Sequence, residues 1–269
     1  MSFQAKIPVG LFAVIISLFF PLVSLNAVTL SKEQIFQVAT LAARDGEYEK
    51  AAEFFKKVLE VDPHFAPAYN SLGLVYQAIG GDSGPAESLR YYELAVEVDP
   101  DYVEALNNLG RAYYSAGKFV AAEQALVKSL QLRPGQADID LIVGWVYLLG
   151  ESRAEQAIKY FEQGLALVND DMAHYGIGLA HLLLDEKFKV FDQITELRHR
   201  HKEELAGRLE AMVRSNVKLS STIGQPLVTG IDPGVSIFDK QLQALTANGF
   251  RAGNDAKGIQ VRLKGPLDE

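Results

Sequence analysis

The 269-residue chain has no cysteine. That excludes a disulfide framework, thiolate metal sites, a cysteine nucleophile and a lipid-modified N-terminal cysteine. It does not choose a compartment, because a cysteine-free chain tolerates oxidising and reducing surroundings alike. Basic residues are outnumbered, 26 Lys and Arg against 34 Asp and Glu, for a net charge of −8. An acidic surface repels phosphate backbones, so nucleic acid is not an expected partner. Histidines number only five. His174 and His181 are close in helical angle but about two turns apart, and no third ligand has suitable spacing, so no metal is expected. The glycine-rich stretch Gly80-Gly81-Asp82-Ser83-Gly84 runs into Pro85 rather than Lys and Ser/Thr, so it is no phosphate cradle. Acids are plentiful, but no motif pairs them. Nothing here asks for a cofactor or reads as an active site.

What is present begins with 48% hydrophobic residues, enough to bury a proper core. Lys6 precedes an apolar run from Val9 to Val23, followed by Ser24-Leu25-Asn26-Ala27. One positive charge, a short greasy stretch and a small residue at a cut site form a secretory signal over residues 1–27. The competing reading is an uncleaved membrane anchor over Ile7 to Leu25, which Gly10, Ser17 and Pro21 dilute. Either way the body is expected outside the cytoplasm, with Lys6 left inside. Expected locations are periplasmic, or inner-membrane anchored facing outward.

Self-similarity follows. Val61-Asp62-Pro63, Val98-Asp99-Pro100 and Leu132-Arg133-Pro134 close three segments of nearly equal length. Ahead of them small and aromatic residues fall in register. Leu106, Leu109-Gly110 and Tyr113 lead to Ala122, Leu126 and Pro134. Tyr69, Leu72-Gly73 and Tyr76 lead to Ser88, Tyr92, Ala95 and Pro100. Ile35, Val38-Ala39 and Ala42 lead to Ala51, Phe55 and Pro63, and Val143-Gly144 and Tyr147 lead to Ala157 and Phe161. Leu109 and Tyr113 lie four apart on one helical face, and the glycines let two helix backbones approach. The prolines stop each second helix. Ser31 with Gln34, and Asp101 with Glu104, fit a reciprocal helix cap.

On these residues the chain resembles the tetratricopeptide-repeat family. The resemblance implies an all-α fold: a right-handed α-α superhelix of about five helical hairpins, followed by a Gly/Pro-containing C-terminal segment. Four units are expected at 32–65, 66–102, 103–136 and 137–171. Residues 172–217 then supply a degenerate fifth repeat and a capping helix, with Tyr175, Leu179 and Leu182 on one apolar spacing and Phe188, Phe191, Ile194 and Leu197 on another. Asp140 takes a slot where the family has a bulky hydrophobe, so the first helix of unit four is expected to start late or tilt. Residues 218–269 hold seven glycines and three prolines. They permit one short helix after Asp232-Pro233, with Phe238, Leu242 and Leu245 on one face and Gly249 as its stop.

In relatives the leftover face of each first helix lines a concave groove for extended or helical peptides. Here that face carries Phe36, Thr40 and Ala43, then Asn70, Leu74 and Gln77, then Asn107, Arg111 and Tyr114, then Leu141, Trp145 and Leu148. Trp145 reads either as a binding hot spot or as a residue buried by the next hairpin. Arg111 is the only basic residue on this face, which argues against a clamp for acidic chaperone tails. The basic stretch Arg198 to Lys202 reads mainly as a solvated helix end. The expected function is a non-enzymatic scaffold that binds a protein or peptide in the groove, in envelope assembly or secretion. The alternative is a self-associating structural subunit of an envelope complex. An enzyme seated in residues 218–269 is the remote third reading.

Overall fold

The computed structural model describes residues 30–81, 83–150 and 153–215. Residues 1–27 and 218–269, on which the signal and the C-terminal helix were expected, lie outside the described residues. Eleven helices and no strand occur among the described residues: α1 (Lys32–Arg44), α2 (Tyr48–Val61), α3 (Ala66–Ile79), α4 (Gly84–Val98), α5 (Val103–Ser115), α6 (Phe119–Leu132), α7 (Ala137–Gly150), α8 (Ala154–Leu165), α9 (Asp171–Leu183), α10 (Lys187–His199) and α11 (Glu203–Ser215). They pair as five antiparallel hairpins plus α11, each packed on the next. Odd-numbered helices also touch the next odd-numbered helix, whereas even-numbered ones make no comparable mutual contact. The odd helices therefore form a close inner row and the even helices a splayed outer row. The result is a curved α-α solenoid.

Local chemistry sets the helix ends. Ser31 accepts from the Gln34 amide at 3.3 Å while the Gln34 side chain accepts from the Ser31 amide at 2.9 Å, a complete capping box on α1. The same device expected at Asp101 is absent. Asp99 accepts from the Asp101 amide at 3.1 Å, so the chain turns before the helix, Tyr102 occupies the cap and Asp101 pairs with Lys128. Asp62 holds the His64 amide in the same way at 3.0 Å, so the Asp-Pro pairs build matching turns. Nor does α7 start late. It begins at Ala137, in phase with α5, and Asp140 sits buried in its first turn.

Packing rests on glycines at the closest helix crossings. A Cβ on Gly73 would lie 2.4 Å from the Tyr92 ring, on Gly110 2.4 Å from Leu126, and on Gly144 2.6 Å from the Phe161 ring. Phe161 is sandwiched, since a Cβ on Gly176 would meet the ring at 2.6 Å as well. Three apolar clusters, which share helices, carry the core from α1 to α11. α10 departs from expectation. Its buried face is Val190, Ile194 and Leu197, while Phe188 and Phe191 are exposed. Both sets have helical spacing, and α9 and α11 cover only the first.

The basic stretch after α10 is engaged, not simply solvated. Arg198 bonds Glu210 at 2.6 Å, and Asp171 takes both Arg200 at 2.5 Å and Lys202 at 2.8 Å, tying the fifth hairpin and α11 together.

Gly144→Ala is expected to lower stability by about 1–3 kcal/mol through overpacking, despite a helix-propensity gain of about 1 kcal/mol. Gly207→Ala on α11, with nothing within 4 Å of the added Cβ, should stabilise instead. Urea denaturation measures both, and a gain at Gly144 would contradict the sandwich.

Candidate functional site

The inner row brings the residues singled out on the first helices into one continuous strip, yet it spends many of them on packing. At the N-terminal end, Phe36 is half-buried between Phe55 and Phe65, each with ring centroids at 5.3 Å. The Thr40 hydroxyl donates back to the Phe36 carbonyl at 2.9 Å. In the second unit Leu74 is buried with Tyr92 and Leu106. Asn70 is buried too, and its Oδ1 accepts from Asn108 Nδ2 on α5 at 2.9 Å. Gln77 stays exposed and accepts from the Tyr92 hydroxyl at 3.0 Å. Burial pushes the Tyr92 phenol well above its ordinary pKa, which keeps it a donor.

The third and fourth units show the same lateral pairing. Asn107 donates to Gln136 Oε1 at 2.8 Å and accepts from the Ser129 hydroxyl. Arg111 pairs through Nη2 with Asp138 on α7, and its buried Nε carries no hydrogen bond. Burial pulls the guanidinium pKa down, while Asp138 holds it up. Tyr114 meets Phe119 edge-on at 6.0 Å. Leu141 is half-buried, filling the notch left by Gly164. Trp145 is 9% exposed and packs edge-to-face on Phe161 at 5.2 Å, and Leu148 is fully buried. The ring of Trp145 is thus a core element, in the same cluster as Tyr175 and Leu179 of α9.

A partner can therefore reach Thr40, Gln77 and Tyr114, the visible edge of Arg111, and parts of Phe36 and Leu141. Reading one helix at a time missed Asn108, Gln136, Asp138 and Tyr92, the residues that fix the groove's polar atoms. The histidines are taken separately: His174 Nδ1 meets Gln193 at 2.9 Å and His181 Nδ1 meets Glu186 at 2.7 Å. Among the described residues no group of three His, Cys, Asp or Glu could hold a metal ion, and no helix is long and apolar enough to cross a membrane.

Stacked helical hairpins with a close inner row define an α-solenoid. Residues 44–80 match the family described as TPR repeat and residues 81–137 the family described as tetratricopeptide repeat. Residues 44–137 thus carry tetratricopeptide repeats, and the helical hairpins on either side continue the same solenoid. Among solved structures it is similar to a MamA protein at 26% identity, covering 65% of this chain and 96% of that one with a TM-score of 0.55. MamA MSR-1 C2 is 20% identical, covers 68% and 98%, and has a TM-score of 0.53. MamA 41-end from Desulfovibrio magneticus RS-1 is 13% identical, covers 65% and 98%, and has a TM-score of 0.57. The last two bear on the fold alone. No curated protein matches the sequence.

Asp140 adds a pH signature beside the groove. Burial, reinforced by Asp138, pushes its carboxyl up to about 6. An acid whose folded pKa lies above its unfolded value of about 3.9 destabilises the fold fully above the folded pKa, and the cost fades as pH falls from 6 to below 4. Asp140→Asn keeps the shape and removes the charge. It is expected to raise the melting temperature at pH 8 and to lose that advantage by pH 3.5. An equal gain at both pH values would contradict an uncompensated buried carboxylate.

Proposed function

We propose that this protein is an exported, non-enzymatic scaffold that holds a polypeptide partner along the inner face of its solenoid, in envelope assembly or secretion. The observation that carries the reading is the inner strip itself. Four successive odd-numbered helices lie side by side, and their polar side chains are fixed in advance by lateral pairs: Asn70 with Asn108, Asn107 with Gln136, Arg111 with Asp138. The asparagines of these pairs are buried and hold the reachable side chains on a rigid frame, and a preorganised surface lowers the entropic cost of association. With Arg111 neutralised by Asp138, the strip has no free cationic centre for an acidic tail. A neutral extended or helical segment fits it better, lying across Gln77 and Tyr114. Export is supported by Lys6 and the apolar run from Val9 to Val23.

A photoreactive residue placed at Gln77 or Tyr114 in intact cells is expected to trap a polypeptide located outside the cytoplasm. The same residue at Glu155, exposed on the outer helix α8, should trap none. Equal capture at Glu155, or none at the inner positions, would overturn the groove. A cytoplasmic partner would overturn export.

A further inference from the structure

Most exposed apolar side chains of the solenoid stand singly, at helix ends or turns, as on any soluble surface. The outer face of α10 is different. Phe188 is 90% exposed and Phe191, one turn on, is 46% exposed. Neither ring meets another aromatic or a cation among the described residues, and two of the polar groups beside them are engaged locally. Lys189 pairs with Glu186 at 2.9 Å, and the Thr195 hydroxyl donates to the Phe191 carbonyl at 2.8 Å. The end of the stack does not need these rings as a cap. α11 already covers it, burying Ala206 and Leu209 and turning Glu203, Glu204, Arg208 and Arg214 outward.

The position of the chain beyond α11 says what covers the rings. α10 and α11 are consecutive helices of 13 residues each that pack together across a tight turn, where the Lys202 amide bonds the Leu197 carbonyl. Running back along α10, α11 delivers Ser215 to the end that bears Phe188 and Phe191. In the sequence that follows, residues 216–269, glycines and prolines are frequent, and the longest stretch without either is Val235 to Asn248, bounded by Gly234 and Gly249. Its large residues Phe238, Leu242 and Leu245 recur at helical spacing on one side, so the stretch has an apolar face of its own to bury. As a helix it would be about 20 Å long, the length of α10. The nineteen intervening residues reach about 60 Å when extended, well beyond what is needed.

We infer that residues 235–248 dock as a helix on the outer face of α10, with Phe238, Leu242 and Leu245 against Phe188 and Phe191. A short tether holds this occupant at an effective concentration of about a millimolar, which a second copy or a foreign partner does not match in dilute solution. The docked helix leaves the inner strip free, so this inference does not rest on the groove.

The absence of cysteine makes the test clean. Asp192 is exposed beside both rings, and at helical spacing Gln241 falls next to Phe238, Leu242 and Leu245 in the proposed segment. In the full chain, Asp192→Cys with Gln241→Cys is expected to form an intramolecular disulfide under copper–phenanthroline about tenfold or more faster than Asp192→Cys with Thr229→Cys, although Thr229 is tethered closer. Adding Phe188→Ser and Phe191→Ser, which changes only exposed positions, should erase the difference. If the Thr229 pair closes as fast or faster, the segment does not dock. If the Gln241 pair links only between two molecules, the occupant is a second copy. Either result overturns the proposal.

Discussion

The approach of two helix backbones at a glycine is the constraint on which this structure depends. Gly73, Gly110 and Gly144 each leave room for one large buried side chain of the facing helix: Tyr92, Leu126 and Phe161. In an isolated helix each glycine would cost about 1 kcal/mol relative to alanine. Close packing offsets this, because a dense interface gains dispersion from every atom brought into contact. The same contact recurs in phase inside three successive hairpins, so these units share one internal geometry, and Gly176 against Phe161 repeats it between the fourth hairpin and the fifth. Inner helices come together, outer ones diverge, and a curved inner strip results.

That strip is held in register by polar groups as well as by apolar ones. Asn70 with Asn108 is a buried amide pair between adjacent units, and Asn107, Ser129 and Gln136 form a second small network. Buried amides are costly without partners, so such pairs penalise any slip of one hairpin against the next. Exposed ion pairs add little each. Lys32 with Asp62, Arg133 with Glu104 and Arg153 with Glu123 nevertheless mark every junction they span. Surface recognition is thereby restricted to what these networks leave visible.

The architecture was legible in the sequence because the glycine contact leaves a periodic trace. Leu-Gly-Tyr followed by small, aromatic and proline positions can be found by sliding the chain against itself. The groove was only partly legible. Angular bookkeeping on one helix places Trp145 and Leu148 on the leftover face, but it cannot see that they share a core cluster with Tyr175 and Leu179 of α9. Arg111 looked like a free cation because its partner, Asp138, lies 27 residues on, in the next unit. Arg153 and Glu123, which also join two units, are 30 residues apart, and Lys32–Asp62, Asn107–Gln136, Arg133–Glu104 and Arg200–Asp171, which close single units, are 29 or 30 apart. Searching for complementary residues at that offset would have found them. Phe188 and Phe191 share helical spacing with the true core face of α10, so periodicity alone could not rank the two.

The claim that the glycine contacts set the geometry of each hairpin is tested most directly by the sign of one substitution in two backgrounds. In the native chain Gly110→Ala drives a Cβ into Leu126, so it should destabilise. With Leu126→Ala already in place the space is open, and Gly110→Ala should stabilise through helix propensity alone. Equilibrium unfolding of the two single variants and the double variant supplies both numbers. A Gly110→Ala effect of the same sign and size in both backgrounds would contradict the account.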